Sequence, residues 1–523
     1  METINELFNA AVKRYMARIV FIEPGEGASM TSITYGGFLE RAHSFAGYLQ
    51  GEKLEKGDRI LLWSASRIDW MVAYLGALLI GAVIVPLDIN SKEDFISRIE
   101  ESTEAKYLIT TQKQYSGLKQ PPAPLIDIDD LPQRPLDTAT LPRITGNDLA
   151  ELVFTSGTTG QPKGVMLSHR NITSDATAAV KVVNIVSDDR ALSILPLSHM
   201  FELTIEIALI HAGASIVYAR TLSPDTLLKL LATQDITLMV LVPQVLQLFM
   251  NGVERQVRQL KKEKQWKMLQ GIATHLPFRL RPALFRQVHK RFGERFRFFV
   301  SGGAYLPPGL HKGWENMGFR VLQGYGATEC SPVVSATPYD EHLSDSIGKP
   351  LPGVEVRIAE DGELLVNGPN IALGYWKNPE ATAAAFKDGW YYTGDLGYMD
   401  EDGNLYLKGR KKNLIVLANG LNVYPEDIEN VLLTNPDVKE AVVFGLMEDN
   451  QGPIVHGVLL MDDPDRAKAA IQQANKQLAS HQQVRDFTIW PEEDFPRTHT
   501  LKVKRPEVLE KLQAMRNGIK AES

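Results

Sequence analysis

Up to about residue 410 the chain alternates helical stretches, such as 38–50 and 225–232, with short apolar, β-branched runs such as Arg59-Ile60-Leu61-Leu62 and Leu238-Met239-Val240-Leu241-Val242. That alternation predicts α/β layers with largely parallel strands, each pair joined by a crossover helix. Residues 71–87 carry no charge, yet Gly76, Gly81 and Pro86 divide the stretch and Asp69 and Asp88 bound it. A buried helix entering a buried strand, Ala82-Val83-Ile84-Val85, is expected there rather than a membrane span. Between about 354 and 407 the texture changes. Asp361-Gly362 and Asp402-Gly403 each sit between strand-like runs, which is a hairpin signal. Beyond Gly409-Arg410-Lys411-Lys412 the pattern is that of a compact α+β unit. A helix opens at Pro425-Glu426-Asp427, strands are predicted near 441–446 and 455–460, and a second helix over 466–478. The domain boundary is placed here, giving domains 1–410 and 411–523.

Composition narrows the class without naming it. A chain of 523 residues, 44% hydrophobic and 23% charged, is too long for one ordinary core and ordinary in its polarity. The net charge of −7 argues against a dedicated nucleic-acid binder. Cys330 is the only cysteine, so neither an intramolecular disulfide nor a cysteine metal site can form, which fits a reducing cytoplasm. The first seven residues carry acids rather than a basic leader, so export is not expected.

Candidate chemistry is concentrated in a few segments. Thr155-Ser156-Gly157-Thr158-Thr159-Gly160-Gln161-Pro162-Lys163-Gly164 follows Leu152-Val153-Phe154 and combines flexible backbone, hydroxyls and one ammonium. Such a loop can cradle phosphate, although it lacks the Gly-x-x-x-x-Gly-Lys-Ser/Thr spacing of an ordinary NTPase, and composition alone favours an ordinary polar loop. Gly324-Tyr325-Gly326-Ala327-Thr328-Glu329 suggests a strand running into a tight, ligand-facing turn, where Glu329 can bind a hard cation and Thr328 can donate to a phosphate. The small residues of Ser301-Gly302-Gly303-Ala304 would let a flat base or an acyl chain lie against the backbone. In Tyr391-Tyr392-Thr393-Gly394-Asp395-Leu396-Gly397, the Asp395 carboxylate could bridge two ribose hydroxyls, or simply serve a turn. In Leu195-Pro196-Leu197-Ser198-His199-Met200-Phe201-Glu202, His199 is either structural or beside a carboxylate pocket. Cys330 reads as a small buried side chain. Residues 254–297 are rich in Lys and Arg, with Trp266, Leu269, Leu276, Phe278 and Phe285 interleaved; this is either a solvated helical face or a surface for anionic lipid.

In their order along the chain and over nearly its whole length, these segments resemble the adenylate-forming (AMP-binding) superfamily, most closely bacterial long-chain fatty acyl-CoA synthetases. The 254–297 segment resembles the insertion of those enzymes, and Phe495-Pro496-Arg497-Thr498-His499-Thr500-Leu501-Lys502 resembles their C-terminal Pro-Arg-Thr-x-x-Gly-Lys signature, with Leu501 in place of glycine. The resemblance implies a large multi-layer N-terminal domain of mainly parallel sheets plus a small β-barrel-like part, and a small mobile α+β C-terminal domain turning near Lys412. It implies ATP and Mg²⁺ as cofactors and CoA as co-substrate. Thr155, Ser156, Gly157, Thr158, Thr159, Gly160 and Lys163 would meet the phosphates. Gly303, Ala304, Tyr325 and Gly326 would meet the adenine, Thr328 the α-phosphate, Glu329 the metal, and Asp395 with Arg410 the ribose. His199, Phe201 and Gly302 would shape the acyl site, and Lys502 would enter the site for adenylation. The expected activity is ATP-dependent activation of a fatty, long-chain carboxylate through an acyl-adenylate, then thioester formation with CoA. An acyl-carrier protein as acceptor, or a silent nucleotide- or lipid-binding relative, are the alternatives. No nucleic-acid partner is expected, and the expected location is cytoplasmic, with weak peripheral contact at the inner membrane face through 254–297.

Overall fold

The uncharged stretch folds as its breaks predict. In the computed structural model, which describes residues 1–25, 29–155, 162–448, 452–497 and 503–522, the Ile68–Leu79 helix is buried at every position but Asp69. Asp69 pairs with Arg41 and Arg67. Gly81, at φ +76, turns the chain into the fully buried Val83–Leu87 strand. Gly76 has no room for a side chain, since a Cβ there would stand 2.7 Å from the Phe45 ring on the neighbouring Tyr35–Gly51 helix.

That strand belongs to a six-stranded sheet ordered Leu125–Asp127, Tyr107–Thr110, Arg59–Trp63, Val83–Leu87, Leu149–Thr155, Lys163–Ser168. All its pairings are parallel except the last. A nine-stranded sheet runs Lys349–Pro350, Val333–Ala336, Arg320–Gly326, Phe298–Ser301, Leu238–Leu241, Arg190–Ser193, Ser215–Tyr218, Ile19–Pro24, Met30–Thr34, parallel through its middle and antiparallel at both ends. A five-stranded sheet uses Glu355–Ile358, Glu363–Asn367, Phe386–Lys387, Trp390–Met399 and Leu405–Arg410, and Gly362 and Gly403 occupy its turns at φ +86 and +83. Both Asp-Gly signals mark real turns, because each needs the left-handed backbone that glycine takes without strain.

By contact density the chain divides into two compact units, residues 1–356 with 366–391, and residues 357–365 with 392–523. In the second, the Val438–Glu448 and Gly452–Met461 strands pair antiparallel and Asp486–Ile489 adds in parallel. Side chains alternate between faces, as period two requires. Ala441, Val443, Val455 and Leu459 pack with the Pro425–Leu432 and Ala467–Asn475 helices, while Val442, Phe444, Leu446, Val458 and Leu460 pack with Trp490, Phe495, Val508 and Leu512. The last two residues lie on an Arg505–Glu522 helix to which the sequence pattern assigned no element. Lys412 lies within this second unit, in the short Lys411–Asn413 turn.

Candidate active site

Two paired strands flank the candidate phosphate loop. Leu149–Thr155 pairs antiparallel with Lys163–Ser168, Thr155 opposite Lys163. Ser156, Gly157, Thr158, Thr159 and Gly160 lie outside the described residues. Lys163 therefore starts a strand rather than ending a free loop. The outer side of that strand is bonded to residues 373–376, with Leu373 N donating to Met166 O, Met166 N to Gly374 O, and Trp376 N to Gly164 O. Gly164 is obligatory for this fit, since a Cβ would lie 2.9 Å from the Phe154 ring and 3.2 Å from Trp376 Cβ. The pairing brings Tyr375 under Lys163, whose ammonium stands 5.0 Å from the ring centroid.

Tyr375 also reaches the second candidate. Its hydroxyl donates to Glu329 Oε1 at 2.8 Å. Burial and the Glu329 charge both push the Tyr375 hydroxyl up, so it remains a donor at any physiological pH. Glu329 sits in a single 3₁₀ turn, Thr328–Cys330, that follows the Arg320–Gly326 strand. The strand runs through Gly326, further than the expected early turn, because Gly324, Tyr325 and Gly326 still pair with the Val333–Ala336 strand. Gly326 admits no side chain, since its Cβ would meet Pro332 O at 1.8 Å. The turn is tied down from outside. Ala372 N donates to Glu329 O, and the Asn370 amide donates to Cys330 O and Val333 O. Cys330 is fully buried.

Among the described residues no group of three or more His, Cys, Asp or Glu could cage a metal. One carboxylate is nevertheless the donor set that suits Mg²⁺, which ordinarily keeps waters and takes its other ligands from substrate phosphates.

Gly302, Gly303, Ala304, Tyr325 and Gly326 lie at the ends of two adjacent parallel strands. Phe298–Ser301 and Arg320–Gly326 run side by side with Ser301 opposite Gln323, so Gly302-Gly303-Ala304 and Tyr325-Gly326 emerge from the same carboxyl edge, the edge where open α/β sheets bind ligands. Gly303 takes φ +77, left-handed backbone. The Phe201 ring rests on Gly302, where a Cβ would stand 2.8 Å from its Cζ. His199 precedes the Met200–Ala212 helix, and its Nε2 stands 3.4 Å from Asp88 Oδ2. Asp88, read in the sequence only as the polar end of an apolar run, is thus a neighbour of the acyl-site candidates. Thr204, on the same helix, donates to Ser331 O beside the Glu329 turn.

This helix also buries two acids to which the sequence motifs assign no role. Glu202 and Glu206 are 2% and 1% exposed. Tyr218 donates to Glu206 Oε2 at 2.8 Å. Burial raises both carboxyls, that of Glu206 to about 8, and for Glu202 the neighbouring Glu206 adds to the effect.

In the second unit, Asp395 and Arg410 face each other across an antiparallel pair, and Arg410 Nε donates to Asp395 Oδ1 at 2.9 Å. Asp395 is 5% exposed, and its backbone N donates to Thr393 Oγ1. Lys502 lies outside the described residues. The residues flanking it close a neck: Arg497 pairs with Val503, Lys504 N donates to Pro496 O, and the Arg497 guanidinium is held by Asp494 and Glu440.

Comparison with known proteins agrees with this geometry. The family model for AMP-binding enzymes matches residues 8–376, and that for the AMP-binding enzyme C-terminal domain matches residues 412–517. The long-chain-fatty-acid–CoA ligase FadD15 of Mycobacterium bovis is 31% identical over 88% of this chain and 87% of its own. A 2-succinylbenzoate–CoA ligase of Bacillus licheniformis is 29% identical over 87% and 90%. Among solved structures, o-succinylbenzoate CoA synthetase of Bacillus subtilis, in complex with its acyl-adenylate intermediate, superposes with a TM-score of 0.80 at 25% identity, covering 96% of this chain and 97% of that one. The same enzyme has been solved with ATP and a magnesium ion, at a TM-score of 0.78 and 25% identity over 96% of this chain and 98% of that one. With both family models in chain order and a relative of this identity along most of its length, the chain belongs to the AMP-binding enzyme family, as an AMP-forming acid–CoA ligase.

Proposed function

We propose that the protein activates a long-chain fatty carboxylate with ATP and transfers the acyl group to CoA. The observation that carries the chemistry is the junction at Tyr375, which sets a cation, Lys163, and a carboxylate, Glu329, on one small patch. A nucleotide triphosphate with its divalent ion needs that pair of charges. In the first half-reaction a carboxylate oxygen attacks the α-phosphorus and the bond to the β-phosphate oxygen breaks, giving acyl-adenylate and pyrophosphate. In the second, the CoA thiolate attacks the acyl carbon and the carbon–oxygen bond to AMP breaks, giving the thioester.

Lys163 holds charge on the departing pyrophosphate, Thr328 donates to the α-phosphate, and Asp395 accepts from the ribose hydroxyls with Arg410 beside it. Lys502 neutralises the charge that builds as the carboxylate attacks. These tasks are positioning and electrostatic stabilisation rather than acid–base catalysis. Glu329 would hold Mg²⁺, which when bound withdraws charge from the phosphate oxygens. Lys412 is the turning point that removes Lys502 before the thiol attacks, so that domain motion separates the two half-reactions.

The long-chain reading is supported by the Mycobacterium relative. Relatives acting on succinylbenzoate make chain length the point to test. Pyrophosphate release with acids from acetate to stearate, and with aromatic acids, should peak at long chains. A peak at an aromatic or dicarboxylic acid overturns the substrate. Product formation with CoA alone against acyl-carrier protein alone decides the acceptor.

A peripheral membrane site is the accompanying proposal. No helix among the described residues is long and apolar enough to cross a membrane. Leu260, Met268, Ile272 and Leu280 are 44% to 58% exposed within the cationic 254–297 segment, a combination suited to an anionic lipid surface. Sedimentation with phosphatidylglycerol vesicles, lost in 0.5 M salt or in M268D/I272D, is the expected result. Equal sedimentation with neutral vesicles overturns it.

A further inference from the structure

Tyr375 lies in no segment to which the sequence assigns chemistry, yet it touches both charged groups of the first-unit site. Its hydroxyl is bonded to one oxygen of Glu329, and its ring face carries the Lys163 ammonium. Its own position is fixed on every side. The backbone bridges to Val165, its N donates to Thr382 Oγ1 at 2.9 Å, and its ring meets Phe386 nearly edge-on at 5.7 Å. The residue is 6% exposed. A glutamate carboxylate turns easily about its last torsion, because sp³–sp² rotations have broad wells. A hydrogen bond to one oxygen removes that freedom and leaves the other oxygen to face a ligand. A lysine is a flexible point charge, and an aromatic face gives it a preferred seat without neutralising it.

We propose that Tyr375 is a positioning residue for adenylation, which orients Glu329 toward the metal through its hydroxyl and seats Lys163 at the phosphates through its ring. The proposal rests on the reading of Glu329 as metal ligand and Lys163 as phosphate contact. It differs from a packing role in a way that can be measured, because the two halves of the side chain serve different groups.

Tyr375→Phe removes the hydroxyl and keeps the ring; Tyr375→Leu removes both. Mn²⁺ binding to the protein with a non-hydrolysable ATP analogue, read by electron paramagnetic resonance, is to be measured beside the melting temperature and the KM for ATP at saturating Mg²⁺. Outer-shell partners of metal ligands typically contribute 10–100-fold. The expected result for Tyr375→Phe is Mn²⁺ affinity down by about 10-fold, with melting temperature and KM for ATP near wild type. Tyr375→Leu should in addition raise the KM for ATP. Wild-type Mn²⁺ affinity in Tyr375→Phe, with affinity lost in Glu329→Gln, overturns the role of Tyr375 alone. Unchanged affinity in Glu329→Gln overturns the underlying metal reading instead. A fall in melting temperature with unchanged metal affinity would show that Tyr375 only packs.

Discussion

Lys163 and Glu329 are far apart in the chain and meet on one phenol ring. Spacing along the sequence could nominate each of them by residue type, but it could not name Tyr375, because the contact is made by a strand edge pairing with a distant segment. Two predictions belong to this scale. Lys502→Ala should lower ATP–pyrophosphate exchange by about 10²–10³-fold, the order seen when one positioned charge-stabilising group is lost. It should leave thioester formation from supplied acyl-adenylate largely intact, and exchange near the wild-type rate would reject the role. Gly302→Val adds a Cβ where the Phe201 ring now rests. The ring must swing aside, so the acid panel should shift its optimum to shorter chains while the KM for ATP stays put.

At the scale of elements, the Met200–Ala212 helix carries a titration that the site does not use. Burial raises Glu206 from 4.5 to about 8, and Glu202 well up as well. Between those pH values the folded chain holds a proton that the unfolded chain has released, so the stabilisation is fully present below 4.5 and is lost as the pH rises through about 8. Glu151, fully buried against the Tyr74 hydroxyl and also raised to about 8, acts in the same direction. The melting temperature should therefore fall from pH 6 to pH 9, and Glu206→Gln should flatten that fall; a parallel decline in the variant would show that other groups set it. The basic segment divides at this scale too. Arg297 donates twice to Asp189, which is 2% exposed, and Arg281 donates to Leu276 O and Glu315 O. These two arginines belong to the fold, whereas the exposed cations beside Met268 and Ile272 remain for a surface role. Arg297→Ala leaves a buried carboxylate uncompensated and should cost about 3–5 kcal/mol by denaturant unfolding.

For the molecule as a whole, the two compact units each hold part of the candidate site. Lys163, Glu329, Phe201 and His199 belong to the first, and Asp395, Arg410, Lys412 and the Arg497–Val503 bridge to the second. If the proposed rotation at Lys412 separates the two half-reactions, backbone freedom there is required. Lys412→Pro, which fixes one dihedral there, should keep acyl-adenylate formation and suppress the thioester step at least tenfold. Equal loss of both half-reactions would place the turning point elsewhere.

What the amino-acid sequence determined by itself was local and periodic. The charge-free run broken at Gly81, the Asp-Gly turns at 361–362 and 402–403 and the proline-led helix at Pro425 all fold as their residues demand, since backbone freedom and burial are decided within a few positions. Tertiary structure decided the rest. It continued the Arg320–Gly326 strand past its expected turn, ordered the Arg505–Glu522 helix against Val442 and Phe444, and set Asp88 beside His199. It also buried Glu202 and Glu206 and placed Tyr375 between Lys163 and Glu329. Each of these depends on strands and helices far apart in sequence meeting at a defined register, and register is set by the packing of the whole core rather than by any one segment.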